Sequence, residues 1–218
     1  MKLQELLNEL APTNTRLIAV SKKKPNEMIL DFYEQGQLDF GENRVQELTD
    51  KYDALPKDIR WHFVGHLQTN KIKYIAPFVH LIQSVDRLKV LKEINKRARQ
   101  NERVIDCLLQ FHIAEEESKF GFDWEEAKAA LESEAFSNMQ NVRIVGVMGM
   151  ATFTDDHAKV RREFQQLKRY FDRLKTTYFP EQEYFKEISM GMTGDYKIAI
   201  EEGSTMIRIG SLLFGPRD

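Results

Sequence analysis

Short apolar runs alternate along this chain with segments whose apolar residues recur at helical spacing. The β-type runs fall at 16–21, 38–41, 61–65, 80–84, 104–112, 142–148, 185–189 and 205–209, each rich in apolar or β-favouring residues. Between them the period changes: Val45, Leu48, Tyr52 and Leu55 share one helical face, as do Leu88, Leu91 and Ala98. A further helix opens the chain, with Leu3, Leu6, Leu7 and Leu10 on one side. Strict alternation of strand and helix predicts parallel strands joined by crossover helices. Eight such units in about 200 residues suit a closed (β/α)8 TIM barrel better than an open doubly wound sheet, and the extra N-terminal helix precedes it.

The segment 156–177 spaces Val160, Phe164, Leu167, Phe171 and Leu174 by alternate steps of four and three. That spacing serves either a helix packed on the barrel wall or a seam between two chains, and the wall is the expectation.

Composition narrows the class. With 218 residues, 42% hydrophobic and 30% charged, the chain has the proportions of a soluble globular protein, and residues 1–218 are expected to form one domain. A formal net charge of −2 offers no overall field for nucleic acid. Lys96, Arg97 and Arg99 read as a solvated helix end, where cations complement the dipole. Glu5 and Glu9 argue against a secretory signal in the first helix, and no apolar run approaches the about 18 residues of a membrane span. A cytoplasmic monomer without membrane contact is expected. Cys107, in an apolar run, is expected to be a buried thiol. The histidines at 62, 66, 80, 112 and 157 show no recognised zinc spacing, so no metal is expected.

In a barrel of this kind, chemistry belongs at the strand ends that carry the βα loops. The first strand delivers Lys22, Lys23 and Lys24 to one rim. A period of two places Lys22 on the face of Ile18 and Val20, with Lys23 opposite. If that face is interior, partial burial lowers the amine's pKa and frees it to attack an aldehyde. By spacing alone a solvated basic turn is the simpler account. The loops after the seventh and eighth strands carry Ser189, Gly191, Thr193 and Gly194, then Gly210 and Ser211, residue types that let backbone and hydroxyls approach an anion. The phase of the last strand turns Arg208 inward with Met206 and Gly210, and Ile207 and Ile209 outward. His66 and Lys71 are candidates for the ligand mouth, Met148 for contact with a ring, and Lys119 for a second aldehyde acceptor; a solvated or packing role suits each as well.

Several ordered motifs also carry a resemblance. Ala19-Val20-Ser21-Lys22, Phe40-Gly41-Glu42-Asn43-Arg44, Trp61-His62-Phe63-Val64-Gly65-His66, Ser189-Met190-Gly191-Met192 and Ile207-Arg208-Ile209-Gly210-Ser211 are similar to motifs of the YggS/PROSC family of pyridoxal-phosphate homeostasis proteins. The match runs from the first strand to the last loop. The resemblance implies a fold-type III barrel like the alanine racemase N-terminal domain, with pyridoxal 5′-phosphate as cofactor and Lys22 as the Schiff-base lysine. It implies that Ser189, Gly210 and Ser211, with Thr193 as a neighbour, hold the phosphate. Arg208 would face the pyridine nitrogen, and Asn43 would lie beside the ring. The family often has serine at the place of Thr193 and threonine at that of Ser211; both departures keep a hydroxyl.

The implied function is binding and buffering or transfer of the cofactor, with cofactor-dependent apo-enzymes as candidate partners, rather than catalysis. Amino-acid racemisation is the alternative, because the barrel also resembles that of alanine racemases. Those enzymes add a β-domain whose tyrosine serves the second face of the substrate carbon. This sequence stops at Asp218, directly after the barrel, so that domain is not expected. A barrel enzyme acting on a phosphorylated sugar is the third possibility, and it would need no Lys22 adduct.

Overall fold

A computed structural model describes residues 2–115 and 120–215. Eight parallel strands close into a barrel in chain order: β1 (Arg16–Val20), β2 (Asp39–Glu42), β3 (Arg60–Phe63), β4 (Leu81–Val85), β5 (Ile105–Phe111), β6 (Val142–Gly149), β7 (Glu187–Ser189) and β8 (Met206–Ile209). Closure is made by β8 against β1, with Arg16 opposite Met206 and Ala19 opposite Ile209. All eight sequence-predicted strands are present, with no end displaced by more than two residues. None of these eight described strands has a free edge, because each pairs on both sides in the closed barrel.

The helices are α1 (Leu3–Leu10), α2 (Asn26–Glu34), α3 (Val45–Ala54), α4 (Ile72–Ile75), α5 (Leu88–Gln100), α6 (Trp124–Leu131), α7 (Glu134–Ser137), α8 (His157–Thr177), α9 (Tyr196–Glu201) and α10 (Ser211–Phe214). Because α10 is a single turn, it covers little of the last strand. The N-terminal helix makes up the shortfall: Leu3, Leu6 and Leu10 pack on Leu17, Ile207 and Ile209, the outward residues of β1 and β8. Val160, Phe164, Leu167 and Leu174 of α8 are buried in the main core, and Phe171 stacks on Phe185 at 5.0 Å. The four-three spacing of α8 is thus used on the barrel wall, as expected.

Two apolar regions result from the alternation of side chains along each strand. Outward residues such as Phe40, Trp61, Ile82 and Val147 pack under the helices. Inside the barrel, Ile18, Leu81, Leu108, Val145, Met148 and Met206 form a separate apolar cluster. Cys107 is buried, and desolvation pushes its thiol well up, which suits an inert packing residue.

Between β5 and β6 the register slips: Cys107 faces Ile144 while Leu108 faces Gly146. Val145 is the extra residue of this bulge, and it enters the interior cluster. The next position must then pass close to β7. A Cβ on Gly146 would lie 1.8 Å from the carbonyl oxygen of Glu187. Gly146→Ala is expected to cost more than about 3 kcal/mol, because backbone and not a pliable side chain blocks it. Gly194→Ala meets nothing within 4 Å and is expected to stay within about 0.5 kcal/mol of the parent; urea unfolding of both variants measures the difference.

Candidate functional site

The strand β1 carries its inward phase past its last residue. Ile18 sits in the interior cluster, Val20 and Lys22 line the cavity at the barrel mouth, and Lys23 is exposed. The turn that releases Lys22 from the sheet puts Lys23 at φ +61°, a left-handed conformation that costs a residue with a Cβ roughly 1–2 kcal/mol. A buried ion network holds this turn. Lys51 on α3 donates from Nζ to the carbonyl of Ser21 at 2.8 Å, to Glu42 Oε1 at 2.7 Å and to Glu47 Oε1 at 2.7 Å. Ser21 Oγ donates to the same Glu42 oxygen at 2.6 Å, and the backbone N–H of Lys23 donates to Glu47. Burial raises the Glu42 carboxyl and Lys51 opposes that shift, so the pair is interdependent. Removing one partner from such a pair typically costs about 3–5 kcal/mol.

Across the mouth lies a cavity of about 700 Å³, inside the roughly 300–1,000 Å³ range of small-molecule sites. Lys22, Asn43, Thr193, Arg208, Gly210 and Ser211 all line it. The hydroxyls of Thr193 and Ser211 are 3.3 Å apart, so the loops after β7 and β8 converge on one point. Space beside Gly194 is open. Asn43 is held by its neighbour: a Cβ on Gly65 would come 2.3 Å from the Asn43 carbonyl oxygen, which makes glycine obligatory there.

Arg208 forms the floor. Only 5% of it is exposed, and burial lowers its guanidinium to about 10, which leaves it a cation at neutral pH. Its Nη1 donates to Ser189 Oγ at 2.6 Å and its Nη2 to the carbonyl of Gly149 at 3.0 Å. Ser189 is therefore placed differently from the phosphate-holding position that the resemblance implies. It is fully buried, accepts from Arg208 and donates to Gln83 Oε1 at 2.6 Å, and does not line the mouth. The cause is strand phase: Ser189 ends β7 inside the barrel, while Thr193 lies four residues farther on, in the loop. The same shift separates the methionines, since Met148 belongs to the interior cluster and Met150 lines the cavity.

Other candidates divide. His66 lines the cavity, bonds Asp86 through Nδ1 at 3.0 Å and stacks on Phe120 at 3.8 Å. Lys71 begins the turn into α4 and is not among the lining residues. Lys119 lies outside the described residues. Sequence reasoning missed the apolar wall of the mouth, Val64, Met150 and Phe153, and also His157 at the start of α8. The barrel phase held a usable signal for Met150, which is two residues beyond Met148.

Comparison with known proteins agrees with this geometry. The family model for the alanine racemase N-terminal domain matches residues 2–218. A pyridoxal phosphate homeostasis protein of Aquifex aeolicus (strain VF5) is 41% identical over 203 residues, covering 93% of this chain and 87% of that one. The chain belongs to the pyridoxal phosphate homeostasis protein family. Among solved structures, PipY of Synechococcus elongatus PCC7942 superposes without PLP at TM-score 0.90 and 35% identity, with 98% of each chain covered. Its PLP-bound form gives TM-score 0.86 at 34% identity, again over 98% of each. An alanine racemase of Bartonella henselae with covalently bound pyridoxal phosphate shares only the fold, at TM-score 0.75 and 15% identity over 98% of this chain and 57% of that one. For this member of the homeostasis family the barrel is thus a PLP fold-type III barrel.

At the opposite end of the barrel, Asp39, His62 and His80 gather. Burial lowers His62; His80 is more exposed, but partial desolvation at the end of the barrel, followed by the charge of His62, lowers it as well, to about 4. A histidine whose folded pKa lies below its unfolded value of about 6.5 takes its proton first in the unfolded chain. Its contribution is whole above that value and is lost as pH falls toward the folded pKa. Glu42, raised by burial, works in the opposite sense. The urea midpoint of His80→Gln is therefore expected to fall less than that of the parent between pH 7 and pH 5, and equal falls would contradict this.

Proposed function

We propose that this chain binds pyridoxal 5′-phosphate through Lys22 and buffers it or hands it on, without turning over an amino acid. The observation that carries the reading is the cavity itself, where an amine, two converging hydroxyl loops and a buried guanidinium face one space. The cofactor supplies an aldehyde that condenses reversibly with an amine. The donor set fits it. Lys22 offers the amine from one side of the mouth. Thr193, Gly210 and Ser211 offer hydroxyls and close backbone approach to a phosphate on the other, which assigns to Thr193 the role that the motif suggested for Ser189. Asn43 flanks the space between them.

Arg208 bears on the choice between carrier and catalyst. A guanidinium carries donors only and cannot act as the anionic partner that keeps a pyridine nitrogen protonated. On this floor the residues bind and orient, and they give little help to carbanion chemistry. That relatives from Aquifex aeolicus to Homo sapiens are known as homeostasis proteins supports the same side. On the rim, Phe153 is 97% exposed, which fits a mouth open to exchange with water or another amine. Cofactor-dependent apo-enzymes are the partners that this chemistry suits, and a monomer in the cytoplasm is the simplest setting for it.

The test is trapping. Borohydride treatment of protein mixed with pyridoxal 5′-phosphate is expected to fix the adduct on the peptide containing Lys22, and Lys22→Ala to abolish it. Incubation with single amino-acid enantiomers is expected to leave their chirality unchanged. A label on another peptide, or Lys22-dependent loss of chirality, would reject the carrier.

A further inference from the structure

Below Arg208 the barrel interior holds an unbroken file of polar side chains, each on a different strand. Arg208 Nη1 meets Ser189 Oγ at 2.6 Å, and Ser189 Oγ meets Gln83 Oε1 at 2.6 Å. Gln83 Nε2 meets His62 Nδ1 at 3.1 Å, and His62 Nε2 meets Asp39 Oδ1 at 2.9 Å. Arg60 closes the file from outside, with its Nη2 on Asp39 Oδ2 at 2.5 Å. Asp39, His62, Gln83, Ser189 and Arg208 are each no more than 5% exposed.

The two ends decide where every hydrogen sits. A carboxylate only accepts, so His62 must present N–H from Nε2 to Asp39. Burial holds His62 neutral, so its Nδ1 carries a lone pair and requires a donor. The amide nitrogen of Gln83 supplies it, which turns the amide oxygen toward Ser189. Ser189 must then donate to Gln83, and its oxygen is left to accept from Arg208, which only donates. All donors therefore point one way, from a buried cation at the mouth to a buried anion at the far end. Hydrogen bonds aligned in this manner polarise and strengthen one another.

A metal reading of the lower end is disfavoured by the same bonds. Asp39, His62 and His80 bring ligand atoms within 4.8 Å of one another, but both His62 nitrogens and both Asp39 oxygens are already engaged, with the Arg60 cation alongside.

We propose that Gln83, His62 and Asp39 are positioning residues for Arg208: a one-way donor column that fixes which guanidinium N–H groups remain to meet a ligand. The role toward the ligand rests on the reading of the mouth as a pyridoxal-phosphate site; the column itself does not. Of the five guanidinium N–H groups, one on Nη1 goes to Ser189 and one on Nη2 to Gly149. The plane of the group is thereby set, and Arg208 lines the cavity in that orientation. Without the column Ser189 has no fixed acceptor for its own hydrogen, and the Gly149 carbonyl alone still orients the guanidinium.

Two measurements test this. In the ligand-free protein, 15N NMR of the His62 ring at pH 7 is expected to show the neutral form with the proton on Nε2. A proton on Nδ1 in the parent would overturn the column whatever the cofactor does. In Gln83→Glu the new carboxylate can accept from both Ser189 and His62, so His62 is expected to become doubly protonated; an unchanged ring would also overturn the column.

In the second measurement, pyridoxal 5′-phosphate is titrated into the parent and the variants. Gln83→Met is expected to raise Kd about tenfold, the size of a lost hydrogen bond to a charged group, and to move the visible band of the bound cofactor. Gln83→Glu restores most of both. Asp39→Asn, which does not touch the mouth, is expected to shift Kd in the same direction, and the double variant to be no worse than Gln83→Met alone. Shifts that multiply independently, or an unmoved band in Gln83→Met, would overturn the positioning role. Should Gln83→Met fail to fold, Asp39→Asn alone decides, since a column requires it to move the band. A parent that binds cofactor without a Lys22 adduct would sink the carrier reading while the NMR result on the column stood.

Discussion

A guanidinium is expensive to take out of water, and the interior of this barrel is arranged round one. Transferring a cation to a low-dielectric interior costs several kcal/mol even after relaxation, yet Arg208 is 5% exposed. Strand phase compels that burial: with Met206 inside, the period of two sends Arg208 inside as well. Its neighbours at that level must therefore accept hydrogen bonds. Ser189 and the Gly149 carbonyl do so, and Ser189 in turn needs an acceptor, which Gln83 provides. Each satisfied group passes its requirement to the next strand until Asp39 ends the series.

A second set of buried charges acts on the other side of the sheet. Glu42 belongs to β2 but points outward to α3, where Lys51 meets it and also grips the carbonyl of Ser21. The position of the Lys22 backbone thus depends on a helix that contributes nothing to the mouth itself. The amine and the guanidinium are consequently set by separate devices, one outside the strands and one within. Their relative placement is a property of the closed barrel, since β1 and β8 are paired along four residues from Arg16 to Ala19.

The architecture was legible because each strand is short, apolar and followed by a helix with its own period, so eight strands were recoverable with small errors at their ends. Phase along single strands was legible too, and it placed Lys22, Arg208 and the outward pair Ile207 and Ile209 correctly. What phase does not contain is depth. Ser189 and Thr193 are four residues apart and both carry a hydroxyl, but one ends a strand inside the barrel and the other lies on its rim. Contacts between distant strands were equally out of reach: Gln83 and Ser189 are 106 residues apart, and no local pattern marks them as partners. The bulge at Val145 belongs to the same class, for its only sequence trace is a glycine whose neighbour is the backbone of β7.

Stability alone does not account for the polar column. Replacing a buried ion network by apolar side chains of like volume is often neutral or stabilising, by about 1–4 kcal/mol. The same interior already shows how that would look, since Ile18, Leu81, Leu108, Val145, Met148 and Met206 fill the adjoining space with apolar side chains. Polar side chains scattered through the interior would suggest tolerance. Here they are contiguous, they start at the buried Arg208 cation that lines the mouth, and their donors run in a single direction. The interior of this barrel is therefore shaped from the mouth downward, by the need to hold Arg208 charged and still.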